Sequence, residues 1–178
     1  MKKVIRIFSL VFYYSIASRL PNYSFPGGVL FNKLRVASMR GFMKIGKHNR
    51  VMRLVYVGNG QNIQIGSYCR INEQTRLDNV KIGNHVMIAR ESVILGKTHE
   101  VKSTELPMER QGKINMPQTI IEDDVWLGLR TTIMPGLRIE RGSIIGSGAV
   151  VTKSINRYAV VGGVPAKLIK YRKFSSGQ

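Results

Sequence analysis

Aliphatic residues recur at every sixth position through most of the chain. Ile45, Val51, Val57 and Ile63 form one run, which after a two-residue slip continues at Ile65, Ile71 and Leu77 and again at Ile82, Ile88 and Ile94. The spacing resumes at Ile121, Leu127, Ile133, Ile139, Ile145 and Val151. Neither the helical period nor strand alternation produces this pattern alone. A period of six predicts short extended segments that each turn a corner and send one aliphatic inward, with three segments closing a triangular coil of about 18 residues. Stacking such coils buries a continuous aliphatic column that no single coil could bury. Glycine after the aliphatic, at Gly46, Gly58, Gly66, Gly83, Gly128 and Gly146, suits the corners. The expectation is a mainly β protein whose β-helical domain of about five coils spans residues 45–156.

Residues 1–44 and 157–178 lie outside the period. The first reads as a basic helical segment, and "MKKVIRIFSLVFYYSIASRLP" as an amphipathic helix within it. Its uncharged run from Ile7 to Ser18 is too short to span a bilayer, and it lacks a convincing cleavage site. Residues 1–20 are expected either to lie peripherally on a membrane or to pack on another subunit. At the other end, Ala166 to Phe174 predicts a short C-terminal helix covering the open edge of the last coil.

Only one interruption divides the β-helical domain. Residues 97–119 form a polar insert in "ILGKTHEVKSTELPMERQGKINMPQTIIEDDVWLG", too long for a mere connection. The coil resumes in register, so the ends of the insert must be close and its middle must project. His99 stands at its start. Of the three histidines, His48 and His85 follow glycine at ordinary repeat corners, whereas His99 alone occupies the break.

Charge changes the picture next. The 178 residues carry 28 Lys and Arg against 10 Asp and Glu, a formal charge of +18, with no acidic residue before Glu73 or after Glu140. Such a balance calls for an anionic partner: a phosphorylated small molecule, nucleic acid or an acidic membrane surface. No aromatic-interleaved basic strand or recognised motif supports nucleic acid. The lone Cys69 excludes an internal disulfide and fits a cytoplasmic setting.

"IEDDVWLGLRTTIMPGLRIERGSIIGSGAVVTKSI", followed by "YAVVGGVPAKLIKYR", resembles the hexapeptide-repeat acetyltransferases. "THEVKSTELPMERQG" is similar to the histidine loop of their maltose, galactoside and capsular-polysaccharide O-acetyltransferase branch. The resemblance runs from about Leu20 to Lys173. It implies a left-handed parallel β-helix, homotrimers with active sites between subunits, and acetyl-CoA as co-substrate with no permanently bound cofactor or metal. It also implies acetyl transfer to a sugar hydroxyl of a surface polysaccharide or its precursor. In that reading His99 is the general base, a role to which imidazole is suited. Asp78 matches an acceptor-contacting position, with Asn72 nearby; the family's acceptor-binding asparagine falls at Arg70, a departure that suggests a larger or more acidic sugar. Trp126 would wall the cleft. Leu129, Ser147, Thr152 and Lys153 fall in the CoA groove, and Lys167 and Lys170 where relatives meet its phosphates.

Other readings stay open at this level. The same fold hosts N-acetyltransferases of amino sugar nucleotides and zinc-dependent carbonic anhydrases, although the histidine spacings here lack the close pair the latter need. A basic membrane- or nucleic-acid-binding protein is the more distant possibility. Glu100, Glu105 and Glu122 are candidates to orient His99, and a backbone carbonyl would serve as well.

Overall fold

The computed structural model describes residues 2–173. Helix α1 (Lys2–Ser15) leads through a single 3-10 turn at Ala17–Arg19 to α2 (Gly28–Arg40). The two helices meet where a side chain on Gly41 would collide with Ser9, so glycine permits the approach.

The first coil contributes β1 (Lys44–Ile45), β2 (Arg50–Val51) and an isolated bridge at Tyr56. The second holds β3 (Ile63–Ile65), β4 (Arg70–Ile71) and β5 (Arg76–Leu77), and the third β6 (Val80–Ile82), β7 (Met87–Ile88) and β8 (Val93–Ile94). The insert then forms an antiparallel ribbon of β9 (Lys97–His99) and β10 (Lys113–Asn115). The fourth coil is β11 (Thr119–Ile121), β12 (Trp126–Leu127) and β13 (Thr132–Ile133), and the fifth β14 (Arg138–Ile139), β15 (Ile144–Ile145) and β16 (Val150–Val151). A partial sixth turn follows, with a bridge at Ile155 and β17 (Ala159–Gly162), before β18 (Lys167–Tyr171).

Equivalent strands stack in register into three sheets. The first is β1-β3-β6-β11-β14, the second is β2-β4-β7-β12-β15-β17 with β18 at its edge, and the third is β5-β8-β13-β16. Every pairing along the stack is parallel; β17 with β18 is antiparallel. Each six-residue step is thus one side of the triangle. The aliphatics named above are buried, apart from half-buried Ile45. Burial of each stabilises the stack by about 1.5–3 kcal/mol. The slip between Ile63 and Ile65 places both on the inward face of β3. Corner hydroxyls are satisfied locally: Ser92 Oγ and Thr131 Oγ1 donate to the Gly128 carbonyl at 3.0 and 2.7 Å.

The expected C-terminal helix is a strand instead. Residues 167–171 form β18 against β17, and Arg172 continues the ladder by donating from its amide to the Tyr158 carbonyl at 2.8 Å. The reason is the one that prompted the helix: β17 would otherwise leave a row of backbone groups unpaired. A strand satisfies those groups where a helix could not, and the lysines then face outward along the new edge. Phe174, the last residue of the expected helix, lies outside the described residues.

Candidate active site

The insert is held open by its own side chains. Gln111 Nε2 donates to the Ser103 and Leu106 carbonyls at 2.8 and 2.7 Å, and its Oε1 accepts from the Ser103 amide at 3.0 Å. Gly112, with a φ of 89°, then reverses the chain into β10. The Gln-Gly pair of the loop motif is therefore a structural device. Arg110 is exposed and, among the described residues, pairs only with neighbouring Glu109 at 3.3 Å.

His99 ends β9 opposite Lys113 and is exposed. Strand alternation puts it on the same face of the ribbon as Lys97. Lys97 lines a cleft of ≈ 300 Å³ together with Asp78, Asn79, Gly96 and Tyr56, at the edge where the third sheet turns toward the first. Asp78 is there tied to Arg76 Nε at 2.8 Å. Among the described residues, no hydrogen bond or ion pair reaches the His99 ring. Glu100 is spent within the loop, its Oε1 accepting from the Val101 and Lys102 amides at 3.0 and 3.2 Å. Glu122 is bound to Arg138 and to the Arg141 amide on the solenoid.

Three of the sequence-derived acceptor positions meet elsewhere. Arg70, Asn72 and Trp126 line a cleft of ≈ 340 Å³ on the outer face of the second sheet. The amide of Asn72 already donates to the Ile88 carbonyl at 2.9 Å, so part of its capacity serves the stack. Arg50 and Met87 belong to the same cleft and were not singled out from the sequence. The register shows the signal that would have found them: Arg50, Arg70, Met87 and Trp126 pair in succession, each one residue before an inward aliphatic. Asp78 does not join them, because it follows β5, and the whole third side of the triangle separates its edge from theirs.

The CoA candidates fall around the third sheet. Leu129 and Ser147 stack at the corner where the second sheet turns into the third, with Leu129 N donating to Ser147 Oγ at 3.2 Å. Thr152 and Lys153 follow β16 at the opposite end of that sheet, on the edge that carries His99. Lys167 and Lys170 are exposed on β18. The sheet thus connects the His99 edge to the corner nearest Trp126.

The remaining histidines are corner residues, as expected. His48, Tyr68 and His85 occupy one left-handed corner in successive coils, with ring centroids 4.9 Å apart at each step. Among the described residues, no group of three His, Cys, Asp or Glu is arranged to hold a metal.

Residues 118–153 match the bacterial transferase hexapeptide (six repeats) family. The chain is 35% identical over 116 residues to a probable acetyltransferase of Mycobacterium tuberculosis, spanning 65% of this chain but only 37% of that protein. It is 31% identical over 116 residues to an Escherichia coli K12 protein named for O-acetyl transfer in lipopolysaccharide biosynthesis, with 61% and 57% of the two chains covered. With the galactoside O-acetyltransferase of Escherichia coli K12 it shares 32% identity over 153 residues, 84% of this chain and 72% of that one. A solved galactoside acetyltransferase in complex with coenzyme A superimposes with a TM-score of 0.76 at 29% identity, covering 96% of this chain and 82% of that one. At that identity and coverage, and with one solenoid common to both, this chain belongs to the hexapeptide-repeat acetyltransferases.

Proposed function

We propose that the protein is an acetyl-CoA-dependent O-acetyltransferase acting on a sugar hydroxyl of a surface polysaccharide or its precursor. The observation that carries this reading is the placement of His99 on the one ribbon that leaves the solenoid, facing the side on which Asp78 opens a cleft. The relatives named for galactoside and lipopolysaccharide O-acetylation support the acceptor class. His99 takes the proton as the acceptor oxygen bonds to the thioester carbon. The carbon–sulfur bond then breaks, and the same imidazole returns the proton to the leaving thiolate. An acceptor screen that detects the freed thiol tests this. Release that requires a sugar hydroxyl is expected; release only with amino sugars would replace O- by N-transfer.

The working unit is a homotrimer in this reading. Within one chain His99 and Asp78 stand on one edge while Arg70 and Trp126 stand on another face, so a second copy must bring the two together. Met87 and Trp126, 42% and 46% exposed, gain cover in that contact. Acetyl-CoA runs between subunits past Leu129, Ser147, Thr152 and Lys153, with Lys167 and Lys170 meeting its phosphates. Sedimentation should give three times the 20.0 kDa chain mass.

The enzyme works in the cytoplasm, at the inner membrane face. No described helix is long and apolar enough to cross a membrane, but α1 turns Val4, Ile7, Phe8 and Val11 outward, each more than half exposed. Such a face, beside a purely basic segment, suits an anionic bilayer surface. Replacing Phe8 and Val11 with glutamate should abolish co-sedimentation with anionic vesicles. Unchanged pelleting, or a shift in trimer mass instead, would assign the face to subunit packing.

A further inference from the structure

A second groove lies between α2 and the first coil. It has a volume of ≈ 540 Å³, and its walls carry Lys33, Arg40, His48 and Arg50 together with Tyr23. Lys33 and Arg40 are seven residues apart on α2 and so share one face, two turns along. His48 and Arg50 come from the first coil opposite. Val29 and Val36 complete an apolar floor. Among the described residues no carboxylate lines this groove, and no Asp or Glu precedes Glu73, which is held by Asn22 at 2.6 Å and does not line it.

The cations here are held but not neutralised. Arg50 stands over the Tyr23 ring, its guanidinium carbon 4.5 Å from the centroid, which holds the guanidinium while leaving its donors free. Among the described residues Lys33 has no hydrogen-bonding or ion-pair partner, and Arg40 gives one bond, to the Gly46 carbonyl at 3.0 Å. The asparagines of the lining are already satisfied: Asn32 donates to the Asn49 carbonyl at 3.0 Å and accepts from the Val51 amide at 2.9 Å. A concave site with several unneutralised cations, a preset guanidinium and an apolar base is built for an anion.

Its position says which anion. Arg50 also lines the Trp126 cleft, so the groove borders the acceptor side of the proposed active site. We propose that this groove is a subsite for a phosphate or diphosphate ester carried by the acceptor. The enzyme would thereby select an activated or carrier-linked sugar over a neutral free one. Assigning the anion to the acceptor rests on the O-acetyltransferase reading; anion binding by the groove does not.

Inorganic pyrophosphate is the probe, titrated calorimetrically into the full chain with CoA at saturation so that the CoA phosphate contacts are filled. Saturable binding is expected, weakening as salt rises. Lys33→Glu should weaken it by about tenfold or more, and Arg50→Gln comparably, with melting temperatures unchanged. Displacement by UDP-glucose would identify a nucleotide-linked ester, and displacement by phosphatidylglycerol vesicles a lipid-linked one. Absence of binding with CoA present, or binding indifferent to Lys33→Glu and Arg50→Gln together, would overturn the subsite. Acetyl transfer to a neutral galactoside is followed separately: its absence with pyrophosphate binding intact would sink the enzymatic reading and leave the groove standing.

Discussion

His99→Ala should lower the turnover of acetyl transfer by about 10²–10⁴-fold, the usual contribution of one positioned acid–base group. Its effect on the melting temperature should be small, because His99 is exposed on a ribbon whose geometry depends on Gln111 and Gly112. CoA affinity should also survive, since the candidate CoA contacts lie along the third sheet and on β18. Single-turnover kinetics at saturating acetyl-CoA measures the first effect, and quenching of the lone Trp126 measures the last. Residual turnover within about tenfold of the parent would contradict a general-base role. A mixing experiment sharpens the test. If each site joins the His99 edge of one copy to the Trp126 face of the next, trimers mixing His99→Ala with Trp126→Ala subunits must recover activity that neither variant has alone. Recovery would not occur if each chain held a complete site.

How much of this was legible beforehand follows from how a triangular coil stores information. The six-residue phase fixes which side chain points inward, and that alone found the buried column from Val51 to Val151. It does not say which side of the triangle a residue occupies until coils are counted. Arg70 and Asp78 are eight residues apart, close enough to pass for one site in sequence, yet they stand on different faces because the chain turns between them. Counting forward from each inward aliphatic would have aligned Arg50 and Met87 with Arg70 and Trp126. The tail failed for a different reason. "KLIKY" suits a helix locally, and only the unpaired edge of β17, a tertiary feature, makes it a strand. The place of His99 on a ribbon that leaves the solenoid was legible, because an interruption in a strict period is itself a signal. An orienting carboxylate for its ring was not, since Glu100 and Glu122 are engaged by backbone amides and arginine, and among the described residues no bond joins Glu105 to the ring.

Arg35→Ala should cost about 3–5 kcal/mol, the largest stability loss expected from a single polar substitution here. Arginines are mostly exposed in folded proteins. In the fold its side chain is fully buried and serves as the bolt between three segments. Its Nε donates to the Ala17 carbonyl at 3.1 Å, Nη1 to Val51 at 2.7 Å, and Nη2 to Leu20 and Pro21 at 2.7 and 3.2 Å. Burial lowers its pKa, but a guanidinium starts so high that it stays charged, balanced by carbonyl dipoles in place of a carboxylate. Alanine would leave those four oxygens facing a void, whereas lysine would restore the charge without a fork able to reach them all. Lysine should therefore recover less than half the loss. Solenoids lose stability locally, through nearest-neighbour contacts. Hydrogen exchange should therefore accelerate in α1, α2 and the first coil, while β11 to β16 remain protected. Uniform loss of protection would mean that the helices and coils unfold as one unit. Because α2 carries Lys33 and Arg40, and the first coil carries Arg50, the same substitution should abolish pyrophosphate binding at the groove while leaving CoA affinity unchanged.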